Sequence, residues 1–200
     1  MLAHRSAQMS RRLERIFWIV AGAAAILYGL SVLEMWLYQA FLTWEFTEML
    51  RPPAHALLVR PAAIPVGAQP LGRLEIPAIE LSAMVMEGAD GSTLRHAIGH
   101  VPGTSLPGGQ GNVVLSAHRD TLFRHIGQLH ESDVISVTTL KGKFEYVVES
   151  AKVVDPQDVI HLRDIGRPTL TLVTCYPFYY VGPAPKRFVV HAALVPAPAL

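Results

Sequence analysis

The chain holds one cysteine, Cys175, closing the run Thr169-Leu-Thr-Leu-Val-Thr-Cys175. One thiol cannot form an intramolecular disulfide. An exported chain that keeps an unpaired thiol exposes it to oxidation, so a chemical use is the informative reading. Thiol chemistry on acyl groups needs an attacking sulfur, a partner that moves protons, and donors for an oxyanion. Two further residues fit. His118 closes the run Asn112-Val-Val-Leu-Ser-Ala-His118, and Arg187 opens the run Arg187-Phe-Val-Val-His-Ala-Ala-Leu194. An always-charged guanidinium with several donors suits a peptide backbone or an oxyanion better than an ammonium does. Each residue also has a plainer use. Free cysteines are often buried as small hydrophobes, a histidine can cap a loop, and Arg187 can be a surface charge beside Lys186.

The elements that must position these groups are short apolar runs cut by Gly, Pro, Asn and Asp. Strand candidates are 72–77, 81–86, 112–118, 134–140, 143–149, 169–175 and 187–194. Alternation and β-branched content mark them as strands, and their spacing suggests an all-β sandwich or barrel. Gly142 lies between two of them and marks a hairpin. Helical pieces are few: Ser92–Ile98, Thr121–Leu129 and Pro156–His161. Cys175, His118 and Arg187 all sit at strand ends, which in a closed sheet can meet at one rim.

Taken together, these segments resemble the sortase family. The carriers are Leu172-Val-Thr-Cys175, the following Arg187, and Ser116-Ala-His118-Arg-Asp-Thr121 upstream. Gly99-His-Val-Pro-Gly-Thr104 and Gly111-Asn-Val-Val-Leu-Ser-Ala-His118 match further family segments. Cys175-Tyr-Pro-Phe178 with Ala184-Pro-Lys-Arg187 looks most like class D sortases. The resemblance covers about residues 71–195. It implies a closed eight-stranded β-barrel behind an N-terminal membrane anchor. It implies that Cys175 is the nucleophile, that His118 is the general acid and later base, and that Arg187 orients the substrate backbone and supports the oxyanion. Thr174 matches a family threonine that contacts substrate.

The N-terminal text agrees with an anchor. Residues 16–33, IFWIVAGAAAILYGLSVL, carry no charge. As a helix they extend about 27 Å at ~1.5 Å per residue, near the ~30 Å bilayer core. Arg5, Arg11, Arg12 and Arg15 precede them, while Glu34, Glu45 and Glu48 follow. This asymmetry predicts a cytoplasmic N-terminus and an extracytoplasmic remainder. A cleaved signal peptide is the rival, but the apolar stretch is long and no clean small-x-small site follows it. The expected organisation is a basic N-terminus over 1–15, a transmembrane helix over 16–36, a juxtamembrane helix and Pro-rich linker over 37–70, and a catalytic barrel over 71–200. The linker prolines are Pro52, Pro53, Pro61, Pro65 and Pro70.

Several classes are set aside. The net charge is +1, with no basic stripe, so no nucleic-acid partner is expected. His96 and His100 are four apart but lack a zinc-site context. Glu145, Glu149, Asp155 and Asp158 do not form a calcium loop. No metal or cofactor is expected. Asp120 can orient His118 or Arg119, or simply start a loop.

The expectation is therefore a single-pass, membrane-anchored cysteine transpeptidase of the thiol-peptidase type. It would cleave an LPxT-type sorting signal after Thr and pass the acyl group to an amine on the cell envelope or a pilin. The alternatives are a peptidase with water as acceptor, a non-catalytic anchored barrel that binds peptides, and an L,D-transpeptidase. The last would carry a Ser-His-Gly-Cys motif, which is absent around Cys175.

Overall fold

The computed structural model describes residues 2–51, 70–158 and 166–196. The expected linker falls almost wholly outside them, as does the later half of the helix expected over Pro156–His161.

The chain divides into two compact units, Met1–Tyr38 and Gln39–Leu200. The first is helical throughout its described residues and belongs to α1, Leu2–Leu50. Arg11–Leu50 is long and apolar enough to cross a membrane, and its most apolar window is wholly unburied.

The second unit is a closed barrel. Its strands are β1 Pro70–Ile76, β2 Leu81–Glu87, β3 Ile98–His100, β4 Asn112–Ser116, β5 Val134–Thr139, β6 Gly142–Val154, β7 Thr169–Tyr176 and β8 Lys186–Leu194. They run in the order β1-β2-β3-β4-β7-β8-β6-β5, and β5 pairs back to β1. Closure removes the unpaired edges that an open sheet would present. All pairs are antiparallel except β2–β3 and β4–β7.

Alternation fills the barrel as the period of two requires. Val113 and Leu115 of β4, Leu170 and Leu172 of β7, and Val190 and Ala192 of β8 belong to one buried core. The β5–β6 hairpin turns at Gly142, paired with Thr139, at a φ of 134° that favours glycine.

The last turns of α1 are part of the second unit. Leu42 and Phe46, four apart on one helical face, are buried. The Gln39 Oε1 accepts from Met84 N at 2.9 Å, one residue before β2–β3 pairing begins at Val85. The Gln39 Nε2 donates to the His96 carbonyl. One amide thus serves backbone groups on β2 and on the loop ahead of β3.

Three elements differ from the sequence expectation. The segment Ser92–Ile98 is not one helix. α2 is only Gly91–Leu94, capped by Asp90 accepting from Ser92 N and Thr93 N, and Ile98 opens β3. A three-residue strand containing Gly99 is too short to show alternation. A Cβ at Gly99 would collide with the Gly88 carbonyl. Thr121–Leu129 is a series of turns ending in a 3-10 turn at Ile126–Gln128. Its buried residues Phe123, Ile126 and Leu129 recur every three positions, which suits that tighter geometry. β4 stops at Ser116, so His118 lies two residues beyond it in a loop.

Candidate active site

The β7–β8 ladder sets Cys175 directly opposite Arg187. Directly opposed residues of an antiparallel pair share a face. Leu172 of β7 and Val190 of β8 point into the core. By the period of two, Cys175 and Arg187 therefore face outward. β4 runs parallel to β7 with Ser116 aligned to Val173, and Ala117 N donates to Val173 O at 3.4 Å. Val113, Leu115 and Ala117 are core residues, and His118 follows them directly in the loop beyond β4. Because β4 and β7 are parallel, their C-terminal ends reach the same rim. The antiparallel β8 starts there. Topology thus brings the His118 segment, Cys175 and Arg187 to one end of the barrel, with Cys175 and Arg187 on its outer face. Cys175 and Arg187 are half-buried and His118 is exposed.

The His118 segment is tied down on both sides. Thr174, the residue before the thiol, donates its hydroxyl to the Ala117 carbonyl at 2.7 Å. The His118 carbonyl accepts from Phe123 N at 3.1 Å, and Phe123 is anchored in the core. Thr174 is 2% exposed. With its hydroxyl committed to Ala117, its structural position is that of a tie between β7 and the histidine segment.

Beneath the outer face lies an aromatic layer. Tyr176 stacks near Phe188 at 6.2 Å, and Phe178 meets both, at 5.6 Å from Tyr176 and 5.4 Å from Phe188. Phe178 lies close over Gly127, where a Cβ would meet its ring at 2.6 Å. The loop leaving β7 is thereby packed onto the 3-10 turn that follows the histidine segment.

The Arg187 guanidinium is held by its own approach loop. Nη1 donates to Ala184 O at 3.2 Å and to Lys186 O at 2.9 Å. Among the described residues these bonds engage Nη1 alone, and the guanidinium has further N–H donors on Nε and Nη2. The neighbouring Lys186 pairs with Asp155 at 2.7 Å, fixing the start of β8 against the end of β6. A sulfur nucleophile, an imidazole and a donor-rich cation at one rim can together attack, protonate and stabilise at a single amide.

The other sequence candidates have different surroundings. His100 is buried, with Nδ1 at 2.8 Å from Glu87 Oε2 and Nε2 at 3.0 Å from Ser105 O. It braces β3 against the loop before β4. The His96 Nδ1 lies 3.3 Å from Ser92 O. Asp120 is exposed, and Arg119 binds backbone carbonyls instead of its carboxylate. Among the described residues no three of His, Cys, Asp or Glu could jointly hold a metal. Glu149 pairs bidentately with Arg167 at 2.7 and 2.6 Å, and those hydrogen bonds lower its carboxyl below the usual range.

Sequence reasoning did not single out Arg119, which spans to the loop between β7 and β8. The only signal was its place directly after His118. Nothing in local spacing shows that partners some sixty residues onward converge on it.

The sequence and the barrel both have known relatives. The sequence pattern of the sortase domain family matches residues 74–195. Sortase D of Bacillus subtilis (strain 168) is 39% identical over 133 residues, covering 66% of this chain and 67% of that protein. Sortase A of Bacillus anthracis is 29% identical over 131 residues, covering 64% of this chain and 60% of its own length. Among solved structures, the Sortase D5 transpeptidase of Clostridium perfringens superposes with a TM-score of 0.66 at 25% identity. That match covers 80% of this chain and 99% of the other. Sortase C-1 of Actinomyces oris gives 0.60 at 29% identity, covering 78% and 84%. With the domain pattern spanning more than half of its length and the barrel matching in topology, this chain belongs to the sortase family.

Proposed function

We propose that the chain is a membrane-anchored cysteine transpeptidase acting on LPxT-type sorting signals. The observation that carries this reading is the shared rim of the barrel. Cys175 faces Arg187 across the β7–β8 ladder, and His118 follows the parallel neighbour β4.

His118 holds the proton that the Cys175 thiol gives up, and the sulfur attacks the carbonyl carbon of the signal's Thr. As the tetrahedral intermediate collapses, the C–N bond to the next residue breaks and His118 delivers a proton to the departing amine. The acyl group remains as a thioester on Cys175. An amine from the cell envelope or a pilin then attacks it. His118 takes the proton from that amine, and the sulfur leaves. Arg187 orients the signal's backbone and offers N–H donors to the oxyanion. Thr174 serves by fixing Ala117, and with it the approach to His118. Its hydroxyl proton is given to Ala117, so any substrate bond the hydroxyl makes is one it accepts.

The apolar stretch of α1 anchors the protein as a single pass. The arginines before residue 16 stay in the cytoplasm and the barrel lies outside. A half-buried rather than enclosed thiol speaks against an inert core cysteine.

The test is incubation of the protein with a panel of LPxT-type peptides, with and without a glycine-based amine. The proposal predicts cleavage after Thr and a joined product when the amine is present. Cleavage with water as the sole acceptor would make the protein a peptidase. No cleavage of any panel member, with Cys175 still open to alkylation, would point to a peptide-binding barrel.

A further inference from the structure

We propose that Arg119 is a positioning residue of the acyl-transfer site, coupling the loop between β7 and β8 to the backbone that carries His118. This rests on the acyl-transfer reading above and adds a residue to it.

Three carbonyls converge on one guanidinium. Arg119 Nη1 donates to Pro177 O at 3.1 Å, while Nη2 donates to Tyr180 O at 2.8 Å and to Gly182 O at 3.1 Å. The guanidinium carbon also sits 5.8 Å from the centre of the Tyr180 ring. The loop it gathers runs from Pro177, two residues after the nucleophile, to Pro185, two residues before Arg187. That loop has little packing of its own beyond Phe178. Tyr179 is 83% exposed and Val181 fully exposed. A loop with so few buried side chains takes its shape from its backbone partners. Here a single side chain supplies three of them.

The same residue is covalently next to His118. On the other side of the histidine, Ala117 donates its N–H to Val173 O and accepts at its carbonyl from the Thr174 hydroxyl. His118 therefore stands between two ties that both run to the nucleophile-bearing strand or its outgoing loop. With Arg119 in place, the loop between sulfur and guanidinium and the segment bearing the imidazole hold one another in register. The planar fork of an arginine can serve three carbonyls at once. An ammonium has three donors too, but all on one nitrogen, without the reach of the fork. Asp120, exposed and unengaged by Arg119, is not an alternative anchor for the segment.

The pH dependence of Cys175 alkylation by iodoacetamide tests this without knowledge of the natural signal, because the chain has one cysteine. Wild type, Arg119→Ala, Arg119→Lys and His118→Ala are compared in the full-length protein, with thermal unfolding recorded for each. The expected result is an Arg119→Ala profile displaced toward that of His118→Ala. At the pH of greatest difference, the rate should change by about tenfold, the change in thiolate fraction that a one-unit displacement of the profile gives. Arg119→Lys should restore only part of the displacement. An Arg119→Ala profile that overlays wild type would overturn the proposal. So would a rate change that follows the loss of folded protein alone, with the shape of the profile kept. A His118→Ala profile identical to wild type is a different failure: it would show no communication between sulfur and imidazole, and would remove the acyl-transfer reading itself.

Discussion

Arg187 and Cys175 are direct cross-strand partners on β8 and β7. The guanidinium reaches the thiol's side of the sheet through strand register alone. A slip of one residue would turn one of the two toward the core, so the register that fills the barrel also aligns the chemistry. Replacing Arg187 should therefore harm turnover without harming the fold. Arg187→Ala is expected to lower kcat/KM for a cleaved peptide by about 10²–10³-fold, the scale of a lost oxyanion donor. The unfolding midpoint should stay close to wild type. Arg187→Lys should stay well below wild type, because one point charge replaces a fork of donors.

Thr174 offers a separate handle on the histidine segment. Its hydroxyl is the donor to a buried contact with the Ala117 carbonyl. Thr174→Val keeps the shape and removes that donor. Equilibrium denaturation should show a loss of about 1–2 kcal/mol, since an acceptor is left unsatisfied in a buried place. Unchanged stability would mean that the Ala117 carbonyl finds another donor.

The end of α1 is expected to contribute to barrel stability. Phe46 is 1% exposed, and Phe46→Ala should cost about 3–5 kcal/mol by the usual scale for buried aromatic truncation. Gln39→Ala removes the acceptor of the Met84 N–H and should cost about 1–3 kcal/mol. Denaturant unfolding of the full-length protein in detergent measures both. If neither variant shifts the midpoint, residues 39–50 are not integral to the second unit.

The Glu149–Arg167 pair predicts a modest acid sensitivity. The paired arginine holds the Glu149 carboxyl below its ordinary value. Its contribution is present above the ordinary carboxylate range and disappears as pH falls through the lowered value. Both side chains are well exposed, so solvent limits the effect to about 0.5 kcal/mol. Arg167→Gln should remove that part of the pH dependence in thermal melts run from pH 7 to pH 3, leaving the curve near neutrality little changed.

The strands that carry Cys175 and Arg187 were legible in the sequence because they alternate clearly. The run ending at Cys175 and the run opening at Arg187 became β7 and β8. The eighth strand was not legible. Ile98-Gly-His100 is too short to carry a period, and its place in the barrel depends on partners on β2 and β4. The parallel β4–β7 pairing was equally hidden, yet it brings the His118 segment to the thiol's rim. Long-range ties from Thr174 to Ala117, and from Arg119 to the loop after β7, leave no trace in local spacing. The turns over Thr121–Leu129 were misread as a helix because buried residues three apart also fit one.

The most direct test of the central claim is the intact mass of the protein after rapid mixing with a cleavable sorting-signal peptide and acid quench. The account predicts one adduct, equal to the peptide through its Thr acyl group, mapped to Cys175. It should be discharged by added amine and be absent from Cys175→Ala. An adduct on another residue, or peptide cleavage that persists at the wild-type rate in Cys175→Ala, would contradict the account.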